Sequence, residues 1–384
     1  MKTIEYINKP EQLDDLCQRI ENAPWIAVDT EFLREKTYYP KFCLLQLATP
    51  EWVVCVDPIA LPDLSKLFKA IYNPNVTKVF HSCRQDLEIF YQLTGELPSP
   101  IFDTQIAAPL LGFSENTGYG MLVSSFLNIN LNKAHTRADW SSRPLSVDEI
   151  QYAADDVIYL CDIYQKMITQ LTELGRLDWL KEDFTALENL EQYEVTPENA
   201  WLRVKGKSKL TGKQLSIIQV ISEWRERIAQ KENRPKNWLV RDDLLFDFAK
   251  IQPETIEALS KIRGITDRVL NYHGKELCEL IKVAKKSPPI PMPGYTKSVF
   301  NKDQKQEAII DILFALVRIR AEENLLNPTI LANRDDLESL LNGNHENCLL
   351  LTGWRFSMVG NELQQLLRGE VRLTIQDGNL NFSR

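Results

Sequence analysis

The sequence has no Cys-x-x-Cys pair, too few glycines (15) and prolines (19) for a collagen-like or low-complexity chain, and no apolar run near the ~18 residues that a membrane span requires. Its seven cysteines, at 17, 43, 55, 83, 161, 278 and 348, stand singly, mostly inside apolar runs. An odd, scattered set suits reduced core thiols and excludes a disulfide framework or a zinc ribbon. Histidine is equally scarce: His81, His135, His273 and His345 show no metal-ligand spacing, and His81 with Ser82 and Cys83 lacks the third member of a hydrolase triad. The opening residues, Met1-Lys2-Thr3-Ile4-Glu5-Tyr6, lack the apolar stretch of a secretory signal, so the expected location is the cytoplasm, with no membrane partner. What is present is a globular mix, 44% hydrophobic and 26% charged over 384 residues, enough for two or three domains with ordinary cores.

Negative charge dominates the whole chain, at net −8, but unevenly. Residues 1–200 carry a net −14, residues 201–290 a net +8, and residues 291–384 a net −2. A basic island in an acidic protein points to division of labour, with the middle third facing a polyanion.

The first 200 residues alternate short β-branched and aromatic runs with helical patterns. Strands are expected at residues 25–28, 42–47, 52–56 and 78–80, and helices near 62–72, 86–93, 103–111 and 117–127. Ser146-Val147-Asp148-Glu149 is a capping box that opens a long helix. Strands first, then alternation, predict a mixed α/β sheet with helices on both faces. Beyond Ala200 the strand signals stop and a repeat begins. Arg225, Arg227, Pro235 and Arg241-Asp242-Asp243-Leu244 recur as Arg318, Arg320, Pro328 and Arg334-Asp335-Asp336-Leu337. Two all-α modules follow from this, separated by the stiff spacer Ser287-Pro288-Pro289-Ile290-Pro291-Met292-Pro293-Gly294. The expected domains are 1–200, 201–290 and 291–384.

Three acidic groups carry chemical promise together that each lacks alone. Asp29 and Glu31 flank Thr30 at a strand end, so alternation aims both carboxylates the same way. Close carboxylates repel unless a cation lies between them, and hard oxygen ligands suit Mg²⁺ or Mn²⁺. Asp86 sits in the first turn of a helix, where capping alone would account for it. Tyr152 and Asp156 share one face of the capped helix, opposite the apolar stripe Ile150, Ala153, Ala154, Val157 and Cys161. Asp155 competes with Asp156, and spacing does not rank them.

The order Asp-x-Glu, Asp, Tyr-x-x-x-Asp resembles the tyrosine branch of the DEDD superfamily of 3′→5′ exonucleases. Val28-Asp29-Thr30-Glu31-Phe32, Thr37-Tyr38-Tyr39-Pro40, Leu45-Gln46-Leu47, Asp86-Leu87-Glu88, Phe102-Asp103-Thr104-Gln105, Arg143-Pro144-Leu145 and Tyr152-Ala153-Ala154-Asp155-Asp156 resemble the bacterial ribonuclease D family within it. The repeats resemble paired HRDC modules. The resemblance covers essentially the whole chain and implies a ribonuclease H-like exonuclease domain followed by two HRDC-like helical domains. It implies two divalent ions, Mg²⁺ or Mn²⁺, on Asp29, Glu31, Asp86 and Asp156. Asp29 would bridge both, Glu31 and Asp156 would complete one site, Asp86 would support the other, and Tyr152 would orient the attacking water. The implied partner is RNA with a free 3′ end, tRNA precursors above all, with no obligatory protein partner.

Substrate grip is expected from Lys205, Lys207, Lys209 and Lys213, followed by Arg225 and Arg227, because cations that neutralise phosphates give salt-sensitive, sequence-tolerant binding. Trp224, Trp238 and Phe246 are read as core, not as base-stacking platforms. Arg137, Asp139 and Arg143 stand before the capped helix, either at the scissile phosphate or shaping the loop. A silent nucleic-acid scaffold and a DNA exonuclease are the competing functions. The complete set of Asp29, Glu31, Asp86, Tyr152 and Asp156 speaks against the first, while no residue read here decides between the two sugars.

Overall fold

The computed structural model describes residues 3–131, 138–210, 212–291, 304–343, 348–377 and 379–383. His135, Arg137, His345 and the end of the proline-rich spacer lie outside them. The apolar runs form β1 (Ile4–Ile7), β2 (Trp25–Leu33), β3 (Lys41–Ala48), β4 (Val53–Val56), β5 (Thr77–Phe80) and β6 (Ile101–Asp103). They assemble into one mixed sheet in the order β1-β4-β3-β2-β5-β6. The β2–β3 and β3–β4 pairs are antiparallel and the other three parallel, and the short link after β3 joins antiparallel neighbours.

Helices α1 (Leu13–Glu21), α2 (Ser65–Ile71) and α3 (Arg84–Thr94) cover one face through Val28, Leu45 and Leu47. The four-residue α4 (Thr104–Ala107), then α5 (Tyr119–Leu127) and the 27-residue α6 (Val147–Glu173), cover the other through Ala27, Leu44 and Ala48. The capping box forms as read: the Glu149 amide donates to Ser146 Oγ at 3.2 Å, and the Ser146 amide donates to Glu149 Oε2 at 2.7 Å. β1 and α1 were not anticipated. The helix expected at 103–111 forms as the single turn of α4 continued by a 3₁₀ segment to Leu111, while the three-residue strand β6 before it was not anticipated, being too short an alternation to read.

After α7 (Lys181–Leu187), the basic segment packs α8 (Lys213–Glu232), α9 (Lys236–Leu239), α10 (Asp242–Ile251), α11 (Ile256–Ser260) and α12 (Asp267–Ala284) around a core of its own. The last segment has α13 (Gln304–Glu323), α14 (Pro328–Leu331), α15 (Arg334–Leu341), α16 (Gly353–Arg355) and α17 (Asn361–Leu367). Its core is continuous with the one beneath α6, joining Leu316 and Val317 to Ala153 and Val157. Arg176 fastens this junction by donating to the carbonyls of Leu110 at 2.7 Å and Asn324 at 2.6 Å. Trp179 stacks on Trp354 with centroids 4.6 Å apart. Gly112, at φ +90°, lets its backbone approach the Leu325 carbonyl where a side chain would crowd it. The chain ends in an antiparallel ribbon, β7 (Arg372–Gln376) and β8 (Asn379–Ser383), so the final segment is not wholly α as expected. The signal was there, since Asp377-Gly378 between two alternating runs is a hairpin signature. Among the described residues no helix is long and apolar enough to cross a membrane.

Candidate active site

β2 supplies two carboxylates on the face that α6 covers. Strand alternation places Ala27, Asp29 and Glu31 on that face and Thr30 on the other. The β2–β3 register shifts immediately after Glu31, a bulge of the kind that re-aims side chains at working sites. α6 supplies the third carboxylate. Its buried stripe, Ala153, Ala154, Val157 and Cys161, fixes the helix's rotation on the sheet, so Asp156 faces β2. One ligand oxygen from each of Asp29, Glu31 and Asp156 lies within 4.8 Å of the others.

Asp155 is otherwise engaged, because Gln151 Nε2 donates to its Oδ1 at 2.8 Å. Of the two, Asp156 is the one whose oxygen joins those of Asp29 and Glu31. Asp86, on α3 and 6% exposed, stands outside this trio but close enough for its charge to act on Asp29 and Glu31. Thr30 Oγ1 donates to Asp86 Oδ1 at 2.5 Å, so the residue between the paired carboxylates orients the fourth from the opposite face. Tyr119 was not singled out by the sequence, yet its hydroxyl donates to the Asp156 carbonyl at 2.6 Å and the Asp155 carbonyl at 3.1 Å. It braces α6 at Asp156. Tyr152 is partly buried one turn before Asp156, with its ring 6.1 Å from Trp140.

Electrostatics shows what this arrangement lacks. Burial, then the charges of Asp156 and Asp86, push Glu31 up to about 8. Burial, then Asp155, pushes Asp156 up to about 7, and burial lifts Asp86 to about 7 against the hydrogen bond from Thr30. Asp29 is raised by burial first and then by Asp86, Asp156 and Glu31. Burial and mutual repulsion thus disfavour the charged form of all four carboxyls, and a bound cation would offset both. The donors are all oxygen, which fits Mg²⁺ or Mn²⁺ and disfavours metals that need sulfur or imidazole.

Other candidates separate under burial. His81 packs at the strand end, its Nδ1 3.0 Å from Thr104 Oγ1 and its ring against Tyr119. Arg143 shapes the loop before α6: it holds Asp57 through Nε at 2.7 Å and Nη2 at 2.8 Å, and donates to the Cys43 and Trp140 carbonyls. Asp139 caps Ser141 and Ser142 within the same loop.

Arg225 cannot serve as an RNA contact. Its side chain is 2% exposed, and Nη1 donates to the Val240 carbonyl and Asp242 Oδ1, both at 2.8 Å, making it a core strut. Arg227 is exposed and paired with Glu223. Lys205, Lys209 and Lys213 are exposed and Lys207 partly so. Trp224 is buried as expected, and Phe246 partly so, whereas Trp238 is 53% exposed, contrary to its reading as core. The basic segment meets the sheet domain through Tyr38, whose hydroxyl donates to Glu226, and through Asn233 Oδ1, which accepts from the Tyr38 and Tyr39 amides at 3.1 Å.

Comparison with known proteins gives a consistent result. A 3′-5′ exonuclease family model matches residues 4–172, and an HRDC domain model matches residues 214–281. The chain is 37% identical to ribonuclease D of Acidiphilium cryptum over 369 residues, 96% of this chain and 94% of that one. It is likewise 37% identical to ribonuclease D of Sphingobium indicum over 385 residues, covering 98% of each. The crystal structure of Escherichia coli RNase D, described as an exoribonuclease involved in structured RNA processing, superposes with a TM-score of 0.83 at 30% identity, covering 96% of this chain and 99% of that one.

Proposed function

Because the chain belongs to the ribonuclease D family, and is thereby a metal-dependent 3′→5′ exoribonuclease, we propose that it trims the 3′ ends of tRNA precursors and other structured RNAs. It does so in the cytoplasm, releasing nucleoside 5′-monophosphates one at a time. Support for the site comes from one observation above the rest, the convergence of Asp29 and Glu31 from β2 with Asp156 from α6 within 4.8 Å, beside which α3 sets Asp86 on its hydrogen bond from Thr30.

Asp29, Glu31, Asp86 and Asp156 would hold two divalent ions. When bound, such ions lower the pKa of water and stabilise the charge on a leaving 3′ oxygen. The four carboxylates hold charge there that would otherwise be lost to protons. Tyr152 offers a phenol one turn from Asp156, where it can orient a water toward the terminal phosphodiester. Thr30 and Tyr119 keep Asp86 and Asp156 from turning away. No side chain need act as a strong base, which suits a site built almost wholly of carboxylates.

Lys205, Lys207, Lys209 and Lys213 would grip the RNA backbone, with Arg227 beside them and Arg225 excluded. Reversing the charge of Lys205, Lys207 and Lys209 is expected to lower the slope of log K against log salt by about 2, at roughly 0.7 per phosphate contact on a single strand. An unchanged slope would remove these lysines from the binding surface.

The function is tested with a 5′-labelled tRNA precursor bearing a few extra 3′ nucleotides, incubated with Mg²⁺ or Mn²⁺. A ladder shortening one nucleotide at a time from the 3′ end, lost in EDTA, supports the reading. Tight binding without shortening under either metal would leave a silent scaffold. Equal shortening of matched single-stranded DNA would remove the preference for RNA.

A further inference from the structure

Gln46 is the unexplained polar group on the working face of the sheet. It lies in the middle of β3, is 0% exposed, and neither its amide nitrogen nor its carbonyl oxygen has a hydrogen-bond partner among the described residues. An amide carries two donor hydrogens and two acceptor lone pairs, and a buried one is normally paired. Its neighbours along β3 on the same face, Leu44 and Ala48, are apolar members of the core under α6, as is Cys55 opposite it on β4. Packing alone would be better served there by leucine, which has similar volume and no polar atoms to desolvate.

Register shows what the amide stands beside. Gln46 is the direct cross-strand partner of Asp29, and paired residues of antiparallel strands project to the same face with Cβ atoms about 5 Å apart. The unpaired amide and the carboxylate at the centre of the acidic cluster therefore share one face at one level of the sheet. A carboxylate only accepts hydrogen bonds, whereas an ion's bound water also donates them, so a side chain that does both suits a place between the two.

Taking Asp29 as a metal ligand, as the proposed function does, we propose that Gln46 is a positioning residue for the metal site. Its amide orients the Asp29 carboxylate through a bridging water, holding the geometry in which the divalent ion binds. Ligand-orienting groups of this type typically change metal affinity or activity 10–100-fold when removed.

The test compares the full-length wild type with Gln46→Leu, measuring Mn²⁺ binding by titration calorimetry, kcat on a labelled RNA, and thermal melting in EDTA. The expected result is a rise of about tenfold or more in the Mn²⁺ dissociation constant and a similar fall in kcat, with a melting temperature in EDTA that is unchanged or higher. Unchanged Mn²⁺ affinity and kcat overturn the proposal whatever the melting temperature does. Should Gln46→Leu fail to fold, Gln46→Met keeps length and flexibility and is read by the same measurements. Asp29→Asn separates this inference from the reading it rests on. If Asp29→Asn loses Mn²⁺ binding while Gln46→Leu keeps it, only the role of Gln46 fails. If Asp29→Asn binds Mn²⁺ as the wild type does, the site assignment itself fails.

Discussion

Asp156→Asn is expected to leave a 5′-labelled RNA at full length under conditions in which Asp155→Asn shortens it almost normally. The two residues are adjacent on one helix, equally acidic and equally plausible from spacing, so the contrast isolates position. Asp156 places an oxygen within 4.8 Å of those of Asp29 and Glu31, whereas Asp155 is held by Gln151. An asparagine at 156 keeps the shape but removes a charge from an all-carboxylate site, and metal-centred charge stabilisation amounts to several kcal/mol. At 1.36 kcal/mol per tenfold, that is a fall of about a thousandfold or more in kcat. Asp155→Asn changes a partly exposed hydrogen-bonded pair and should stay within about threefold. The loss in Asp156→Asn should arise with the fold intact, because relieving repulsion among buried carboxylates does not destabilise the apo protein. A melting curve in EDTA that is unchanged or raised, beside an inactive enzyme, is the expected pair of results. Comparable activity in the two variants would reject Asp156 as a ligand.

The parts of the site legible in the sequence were those governed by local periodicity. Alternation on β2 put Asp29 and Glu31 on one face, and the capping box placed the start of α6, which put Tyr152 and Asp156 one turn apart. Each inference used at most eleven consecutive residues. What was not legible depends on residues distant in sequence. Arg225 read as a surface cation because nothing in its neighbourhood announces that Val240 and Asp242 fold back over it. Thr30 read as a spacer between two carboxylates, and only its contact with residue 86 makes it an orienting group. Tyr119 lies 37 residues from the carbonyl it braces. The docking of the last helical segment was equally hidden: its apolar stripe is that of any amphipathic helix, and whether it buries against its own repeat or against α6 is settled by shape, through Arg176 and the Trp179–Trp354 stack.

Arg143→Met is expected to cost a large part of the sheet domain's stability, and by an amount that depends on pH. The Asp57 carboxylate is 3% exposed and Arg143 22% exposed. Asp57 accepts both forks of the guanidinium, the Tyr6 hydroxyl at 2.7 Å and the backbone amides of Ile59 and Ala60. Removing one partner of a buried pair strands the other charge, at about 3–5 kcal/mol. In a domain of this size that lowers the melting temperature of the sheet domain by on the order of 10 °C at pH 7. The sign of the pH dependence follows from Asp57. Burial pushes its carboxyl up, but the hydrogen bonds from Arg143 and Tyr6 outweigh burial and hold it below its ordinary value of 3.8. A carboxyl held low in the folded state contributes stability above that ordinary value and loses it as pH falls through the folded one. The gap between wild type and Arg143→Met should therefore be widest near neutrality and close as the pH falls toward and below 3.8. Activity should fall with stability but not vanish. The clamp fixes the loop that carries Trp140, whose ring lies against Tyr152, while the carboxylates stand on β2, α3 and α6. A gap of constant size across that pH range would show that the clamp contributes packing alone, without the charge pairing that its geometry implies.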